Sequence, residues 1–149
     1  MTVRDATLKD LPILSSFNQA HAKSLGLCPA PTALGSIAAV LLDSTKGFYL
    51  VAETPDHNTP VGSVFVSLEW SDWYGGWYWC PTSLWVQPQY RKQGLATQLL
   101  KEILTRAHAK QNNVLGIKGY VGATNLSARS LYETLGAKNS GYVMYEMKV

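Results

Sequence analysis

The sequence has only two cysteines in 149 residues, Cys28 and Cys80, and neither lies in a Cys-x-x-Cys pair or beside a histidine. That pattern offers neither a disulfide framework nor a zinc ligand set, so both thiols read as reduced and structural, and no metal is expected. No apolar run approaches the ~20 residues that cross a bilayer. The N-terminus has no charged-then-apolar leader pattern, so the expected compartment is the cytoplasm, with no membrane partner. The Gly-x-x-x-x-Gly-Lys-Ser/Thr signature is missing, as is the three-glycine dinucleotide fingerprint, and ATP and NAD are therefore poor guesses. Repeats, low-complexity tracts and linkers are also missing, which leaves residues 1–149 as one expected domain.

Hydrophobic residues make up 46% of the chain, enough for a core that removes about two-thirds of the unfolded chain's surface from water. The net charge of +3 is unevenly spread: residues 1–75 carry four Lys/Arg against seven Asp/Glu, and residues 76–149 carry nine against three. A basic C-terminal half suits a polyanionic partner, either a phosphorylated cofactor or nucleic acid. The cations flank a helix start and form no dense stripe interleaved with base-stacking aromatics, which favours the cofactor and argues against nucleic acid. All five tryptophans fall between Trp70 and Trp85.

Hydrophobic periodicity predicts a mixed α/β (α+β) order. Val3 to Ala6 reads as a strand, followed by a helix with Asp10 as N-cap and Pro12 in its first turn, running to about Lys23. A loop over Leu25–Pro31 leads to a second helix from about Thr32 to Leu42. Phe48–Glu53 and Val61–Trp70 read as strands of a hairpin whose turn holds a solvated His57; after a turn at Ser71–Gly76, Trp77–Val86 is the next strand. A long helix with Leu95, Leu99, Leu100, Ile103 and Ala107 on one face ends at Lys110–Asn113. Val114–Tyr120 is a strand in which Gly116 and Gly119 allow a bend or a close backbone approach. The last helix opens at Asn125, buries Ala128, Leu131, Tyr132 and Leu135, and stops at Gly136; Tyr142–Lys148 is expected to close the sheet.

The most informative stretch is the turn Gln87–Ala96. Arg91 and Lys92 supply positive charge, Gly94 permits close backbone approach, and a helix begins immediately after it. The unpaired N–H groups of Gln93, Gly94, Leu95 and Ala96, continuing to Thr97, would face an anion with the positive end of the helix dipole behind them. A pyrophosphate suits that site. By itself the spacing Arg-x-x-Gly-x-Ala is also what an ordinary strand-turn-helix connection can carry.

The second motif is Asn125-Leu-Ser-Ala128-Arg-Ser-Leu131-Tyr132-Glu-Thr-Leu-Gly136-Ala137. With Arg91–Ala96 before it, in this order and at this spacing, the chain resembles the GNAT superfamily of acyl-CoA N-acyltransferases over nearly its whole length. Ala137 stands where the family pattern has an aromatic residue. The resemblance implies a central, mostly antiparallel sheet flanked by helices, with a splayed pair of strands, here Trp77–Val86 and Val114–Tyr120, holding acetyl-CoA between them. It further implies that backbone groups of Leu84 and Val86 pair with the pantetheine arm and that one N–H, in preference that of Val86, polarises the thioester carbonyl. Pro81 has no N–H to donate, which suits a strand edge or bulge at the opening. Arg91 to Thr97 and Asn125 fall at cofactor-binding positions.

The implied reaction is attack of a primary amine on acetyl-CoA in a ternary complex. Tyr132 matches the family position of the general acid, while from spacing alone it also reads as a packed tyrosine on an amphipathic helix. An amine of pKa about 10.4 must lose a proton before it attacks. No carboxylate lies between Trp77 and Val86; Glu69 and Asp72 are the nearest candidate bases, with a water relay or Ser83 as alternatives. Trp70, Trp73 and Tyr74 are candidates for holding a cationic amine by its charge, or for packing in the core or at the interface of a homodimer. A loose similarity to small-amine acetyltransferases points to a small amine, amino acid or polyamine as acceptor. The other class of reading is a non-catalytic acyl-CoA sensor or protein-interaction module on the same fold. His21 reads as packed or exposed, without a catalytic role.

Overall fold

The computed structural model describes residues 2–28, 33–56, 58–109 and 113–149. The expectations for His57, for the helix end at 110–112 and for most of the loop and helix start at 29–32 therefore lie outside the described residues. Among the described residues five strands form one sheet in the order β1 (Thr2–Asp5), β2 (Phe48–Glu53), β3 (Pro60–Ser71), β4 (Gly76–Val86) and β5 (Val114–Ile117). The first four pair antiparallel, whereas β5 pairs parallel to β4. Parallel neighbours need a crossover, and α3 (Leu95–Ala107) supplies it.

Alternation along the strands divides the core into two layers. Leu50, Ala52, Val64, Val66 and Trp79 face α3, whose Leu95, Leu99, Leu100 and Ile103 are buried against them; α4 (Leu126–Thr134) adds Leu131, Tyr132 and Leu135. Tyr49, Val51 and Phe65 face the other way, against Leu14 of α1 (Leu11–Ser24) and Ile37 of α2 (Ala33–Leu42). Tyr49 and Phe65 stack there with ring centroids 4.9 Å apart.

Asp10 is the N-cap residue of α1, but its side chain makes no cap hydrogen bond. Its carboxylate turns back, is almost fully buried, and accepts from the Thr7 N–H at 2.7 Å and from two Arg4 nitrogens at 2.8 and 2.9 Å. Arg4 also reaches Glu53 at 2.6 Å, tying β1, β2 and the entry to α1 together. Two other expectations are corrected. First, β5 stops at Ile117 instead of Tyr120: its pairing with β4 ends at Trp79↔Ile117, with one further bond from the Lys118 N–H to the Trp79 carbonyl. Second, Tyr142–Lys148 forms no strand; residues after Gly136 belong to no regular element, and all of them are exposed.

Candidate active site

The sheet opens between β4 and β5. Trp77 donates its N–H to the Asn113 carbonyl at 3.0 Å, and the Trp79 carbonyl accepts from the Lys118 N–H at 3.0 Å. Nothing in the ladder joins the two strands past that link. Pro81 is the next residue by alternation to face this edge, and its missing N–H leaves no unsatisfied donor there. Ser83 lies two residues further on with φ +48°, left-handed for a non-glycine residue, and the β3–β4 register slips between Ser63 and Phe65. Such a bulge bends β4 and re-aims the backbone of Leu84 to Val86.

Below the opening the chain turns through Pro88–Tyr90 into α3. Lys92 (φ +59°) and Gly94 (φ +80°) both adopt left-handed backbone, so the intervening peptide groups curl into a concave turn. Gly94 is the N-cap and has no side chain to cap with; the first helical bond is from the Gln98 N–H to the Gly94 carbonyl at 2.9 Å. Among the described residues, none of the N–H groups of Leu95, Ala96 and Thr97 finds an acceptor. Arg91 is held from two sides: its Nε donates to the Val86 carbonyl at 2.9 Å, and its guanidinium lies 4.6 Å from the Trp85 ring centroid. His21 of α1 packs on Trp85 at 5.6 Å. Burial, and secondly the nearby Arg91 charge, hold this imidazole below its ordinary pKa, so it is neutral near pH 7. The sequence indicates a packed or exposed His21, but not its contact with Trp85.

Tyr132 reaches the same opening from the other side. A methyl group placed on Gly119 would stand 2.6 Å from Tyr132 Cζ and 3.0 Å from its hydroxyl oxygen, so the phenol lies directly on the Gly119 backbone, one residue beyond the last β4–β5 link. The close approach expected at Gly119 is therefore to Tyr132. Burial, with a smaller contribution from Cys80, raises the phenol's pKa and keeps it protonated. Asn125 is the N-cap of α4, and its Oδ1 accepts from the Ala128 N–H at 3.1 Å.

The candidate bases are placed differently. Glu69 pairs with Lys118 and accepts from the Tyr120 hydroxyl at 3.4 Å, so both its oxygens are engaged. Lys118 also lies 3.9 Å from the Tyr78 ring centroid, and its pKa is raised, chiefly by the hydrogen bond to Glu69. Lys118 and Tyr120 escaped the sequence reading, since only the parallel β4–β5 pairing brings them to Glu69. Asp72 is exposed in the β3–β4 turn. Trp73 (83% exposed) and Tyr74 (68%) crown that turn, and Trp70 packs edge-on against Trp77 at 4.9 Å. This hairpin tip is the opposite end of β4 from the turn Gln87–Ala96, and among the described residues no ring contact joins these aromatics to Tyr132. Among the described residues no cluster of three or more His, Cys, Asp or Glu could hold a metal, and no helix is long and apolar enough to cross a membrane.

The strand pair thus parts above a helix N-terminus whose first N–H groups are uncapped, an arrangement compatible with an extended anionic ligand. The sequence matches the acetyltransferase (GNAT) family over residues 16–137, and the chain belongs to that family. Its members use acetyl-CoA. A possible acetyltransferase from Clostridium difficile 630 is similar over 99% of this chain and 97% of its own, at 32% identity and a TM-score of 0.88. Two more distant structures share the fold. One is a ribosomal-protein-alanine N-acetyltransferase from Brucella melitensis biovar Abortus 2308, at 16% identity, 99% and 98% coverage and a TM-score of 0.80. The other is a predicted acetyltransferase with acetyl-CoA from Clostridium acetobutylicum, at 18% identity, 97% and 95% coverage and a TM-score of 0.76. No curated protein matches the sequence.

Proposed function

We propose that this chain is an acetyl-CoA-dependent N-acetyltransferase that acts in the cytoplasm, as a homodimer, on a primary amine of the small-amine, amino-acid or polyamine class. The observation that carries the reading is the opening between β4 and β5 with the Tyr132 phenol resting on Gly119 at its mouth. When bound, the CoA thioester supplies an activated acetyl group and a thiolate leaving group. The N–H groups from Gln93 to Thr97, with Lys92 and Arg91, bind the pyrophosphate. Arg91 is held rigidly enough by Val86 and Trp85 to lose little freedom on binding. Backbone groups of Leu84 and Val86 align the pantetheine, and one N–H, that of Val86 in preference, steadies the charge that grows on the carbonyl oxygen. Asn125 contributes by fixing the start of α4 and hence the reach of Tyr132. The protonated phenol then delivers its proton to the departing sulfur.

The amine's proton needs an acceptor, and Glu69 is a candidate, engaged by Lys118 and Tyr120 just past the last β4–β5 link. Its engagement with Lys118 and Tyr120 makes a route through that pair, or through an ordered water, better suited than direct contact. Asp72, Trp70, Trp73 and Tyr74 serve acceptors long enough to reach from the hairpin tip to the opening. The same engagement of Glu69 favours one other reading, a non-catalytic acyl-CoA sensor on this fold.

Two measurements separate these readings. Acetyl-CoA at about 100 times its Kd contributes about 2.7 kcal/mol to the native state, which raises the unfolding midpoint by roughly 5–10 °C. Both readings require that rise, and its absence at millimolar ligand overturns both. Thiol release with a panel of amines then decides: the enzyme reading expects turnover that falls about 100-fold or more in Tyr132→Phe, and the sensor reading expects none in either protein.

A further inference from the structure

An ammonium is already held beside the opening, and it is the chain's own. Glu69 of β3 and Tyr78 of β4 are cross-strand partners, and Gly116 of β5 pairs with Tyr78 on the other side. Gly116 has no side chain, so the Tyr78 ring lies close to its backbone; a methyl there would stand 3.3 Å from Tyr78 Cε1. Lys118, two residues on, folds over that ring with Nζ 3.9 Å from the centroid and pairs with Glu69 Oε1. Tyr120, two residues further, donates its hydroxyl to Glu69 Oε2 at 3.4 Å. A carboxylate and an aromatic face thus hold one primary ammonium, and a phenol steadies the carboxylate's other oxygen.

This cage borders the point where acetyl transfer needs its acceptor. The Lys118 N–H makes the last link to β4, and between Lys118 and Tyr120 lies Gly119, on which the Tyr132 phenol rests. Cys80 of β4 is within electrostatic reach of Lys118, Tyr120 and Tyr132 alike. The occupant is also replaceable. The side chains of Lys118 and Glu69 are each 43% exposed and Tyr120 is 55% exposed, so a dissolved cation reaches the pair. An exposed ion pair with one cation–π contact favours its closed form by only about 5- to 10-fold.

We propose that Glu69, Tyr78 and Tyr120 form the ammonium site of the acceptor, and that Lys118 is its tethered occupant, which a primary alkylammonium must displace before acetyl transfer. The proposal rests on the acetyltransferase reading and names the acceptor class for it. The present occupant is a compact ammonium with three donors on a four-carbon stem, so an aliphatic primary ammonium is the ligand that reproduces its contacts. A quaternary ammonium keeps the attraction to the Tyr78 face but has no N–H for Glu69. Lys118 therefore sets a threshold: it keeps Glu69 paired while no acceptor is present and excludes cations too weakly held to replace it.

The test is an NMR titration of the full chain with n-butylammonium chloride up to about 100 mM, at an ionic strength fixed with sodium chloride, following the amides of Glu69, Lys118 and Tyr120. No cofactor is needed, so binding is read apart from catalysis. Lys118→Met keeps the stem and removes the charge, and is expected to lower the butylammonium dissociation constant about 5- to 10-fold. Lys118→Arg keeps the charge and is expected to hold the constant at or above the parent value. Glu69→Gln should raise it about 10-fold or more. In that background Lys118→Met should change it less than about twofold, because no carboxylate is left to contest. Butyltrimethylammonium should bind the parent about 10-fold more weakly than butylammonium. An unchanged constant in Lys118→Met overturns the proposal and leaves an ordinary surface ion pair. An equal gain in the Glu69→Gln background overturns it too, as does the absence of saturable binding in every variant. Thiol release from acetyl-CoA separates this from the parent reading: turnover of butylamine with no gain in Lys118→Met sinks the cage alone, whereas the expected affinities with no turnover of any amine support the cage and sink the acetyltransferase reading.

Discussion

Replacing Gly119 with alanine tests how finely the Tyr132 phenol is positioned. The new methyl would lie 2.6 Å from Tyr132 Cζ, 2.7 Å from Cε1 and 3.0 Å from the hydroxyl oxygen, where ordinary contacts are about 3.5–4.0 Å. The phenol must therefore retreat by roughly 1 Å. Gly119 is not among the glycines with left-handed backbone, so alanine fits the main chain and gains about 0.4–1 kcal/mol by restricting the unfolded state. Tilting one ring off its preferred rotamer costs about 0.5–1.5 kcal/mol, and the two effects nearly cancel in stability. Catalysis has no such compensation, because a 1 Å misplacement of a reacting group costs about 100-fold in rate. The expected result is a kcat lowered about 100-fold with an unfolding midpoint within a few degrees of the parent. Steady-state thiol release at saturating acetyl-CoA measures the first and a thermal scan the second. In a Tyr132→Phe background the same alanine should cost less than about threefold, since the proton donor is already gone. Full turnover in Gly119→Ala, or an undiminished 100-fold loss in the phenylalanine background, would refute the assignment of the phenol as the acid.

Other consequences follow from the turn at the head of α3 and the charged network. Gly94→Ala forces a side chain onto φ +80°, and should cost about 1–2 kcal/mol of stability while weakening acetyl-CoA binding in calorimetry. Arg91→Ala removes the guanidinium held by Val86 and Trp85 and should raise the acetyl-CoA dissociation constant about 10- to 100-fold, with a shallower salt dependence. His21 is held below its ordinary 6.5 by burial and by Arg91. Its contribution to stability is present above pH 6.5 and lost as pH falls through the lower folded value. Urea unfolding at pH 7.5 and 5.5 should show that loss, and His21→Gln should remove it. Asp10 is held below its ordinary 3.8, first by the hydrogen bond from Arg4. Its contribution persists above that value and disappears only in stronger acid, and Asp10→Asn should cost about 1–3 kcal/mol at neutral pH. The lower part of that range is expected, because the Arg4 side chain is 36% exposed.

Much of this molecule is written in local pattern. The apolar repeat of Leu95, Leu99, Leu100 and Ile103 specifies both α3 and its buried face, and Gly94 before it marks where the backbone must turn left-handed. Asn125 at the head of Ala128, Leu131 and Tyr132 likewise marks the start of α4, because a cap and its helix are neighbours in sequence. Alternation and turn residues placed β2, β3 and β4 for the same reason. What failed was whatever needed a distant partner. Tyr142–Lys148 has strand composition, but a strand exists only where an edge accepts it, and no local pattern says which edge or whose. β5 ends at Ile117 because its pairing with β4 ends there, which is a matter of two distant segments and not legible in residues 118–120 themselves.

The site divides along the same line. The sequence by itself determined the donors at the head of α3 and the helix that carries Tyr132, since both rest on contacts within a few residues. Only the tertiary structure decided that the phenol rests on Gly119, that Glu69 is engaged by Lys118 and Tyr120, that Trp85 contacts both His21 and Arg91, and that Trp73 and Tyr74 crown the far end of β4. Each of these contacts joins segments brought together by the crossover through α3 or by packing across the sheet, and periodicity along one segment carries no information about the register of another.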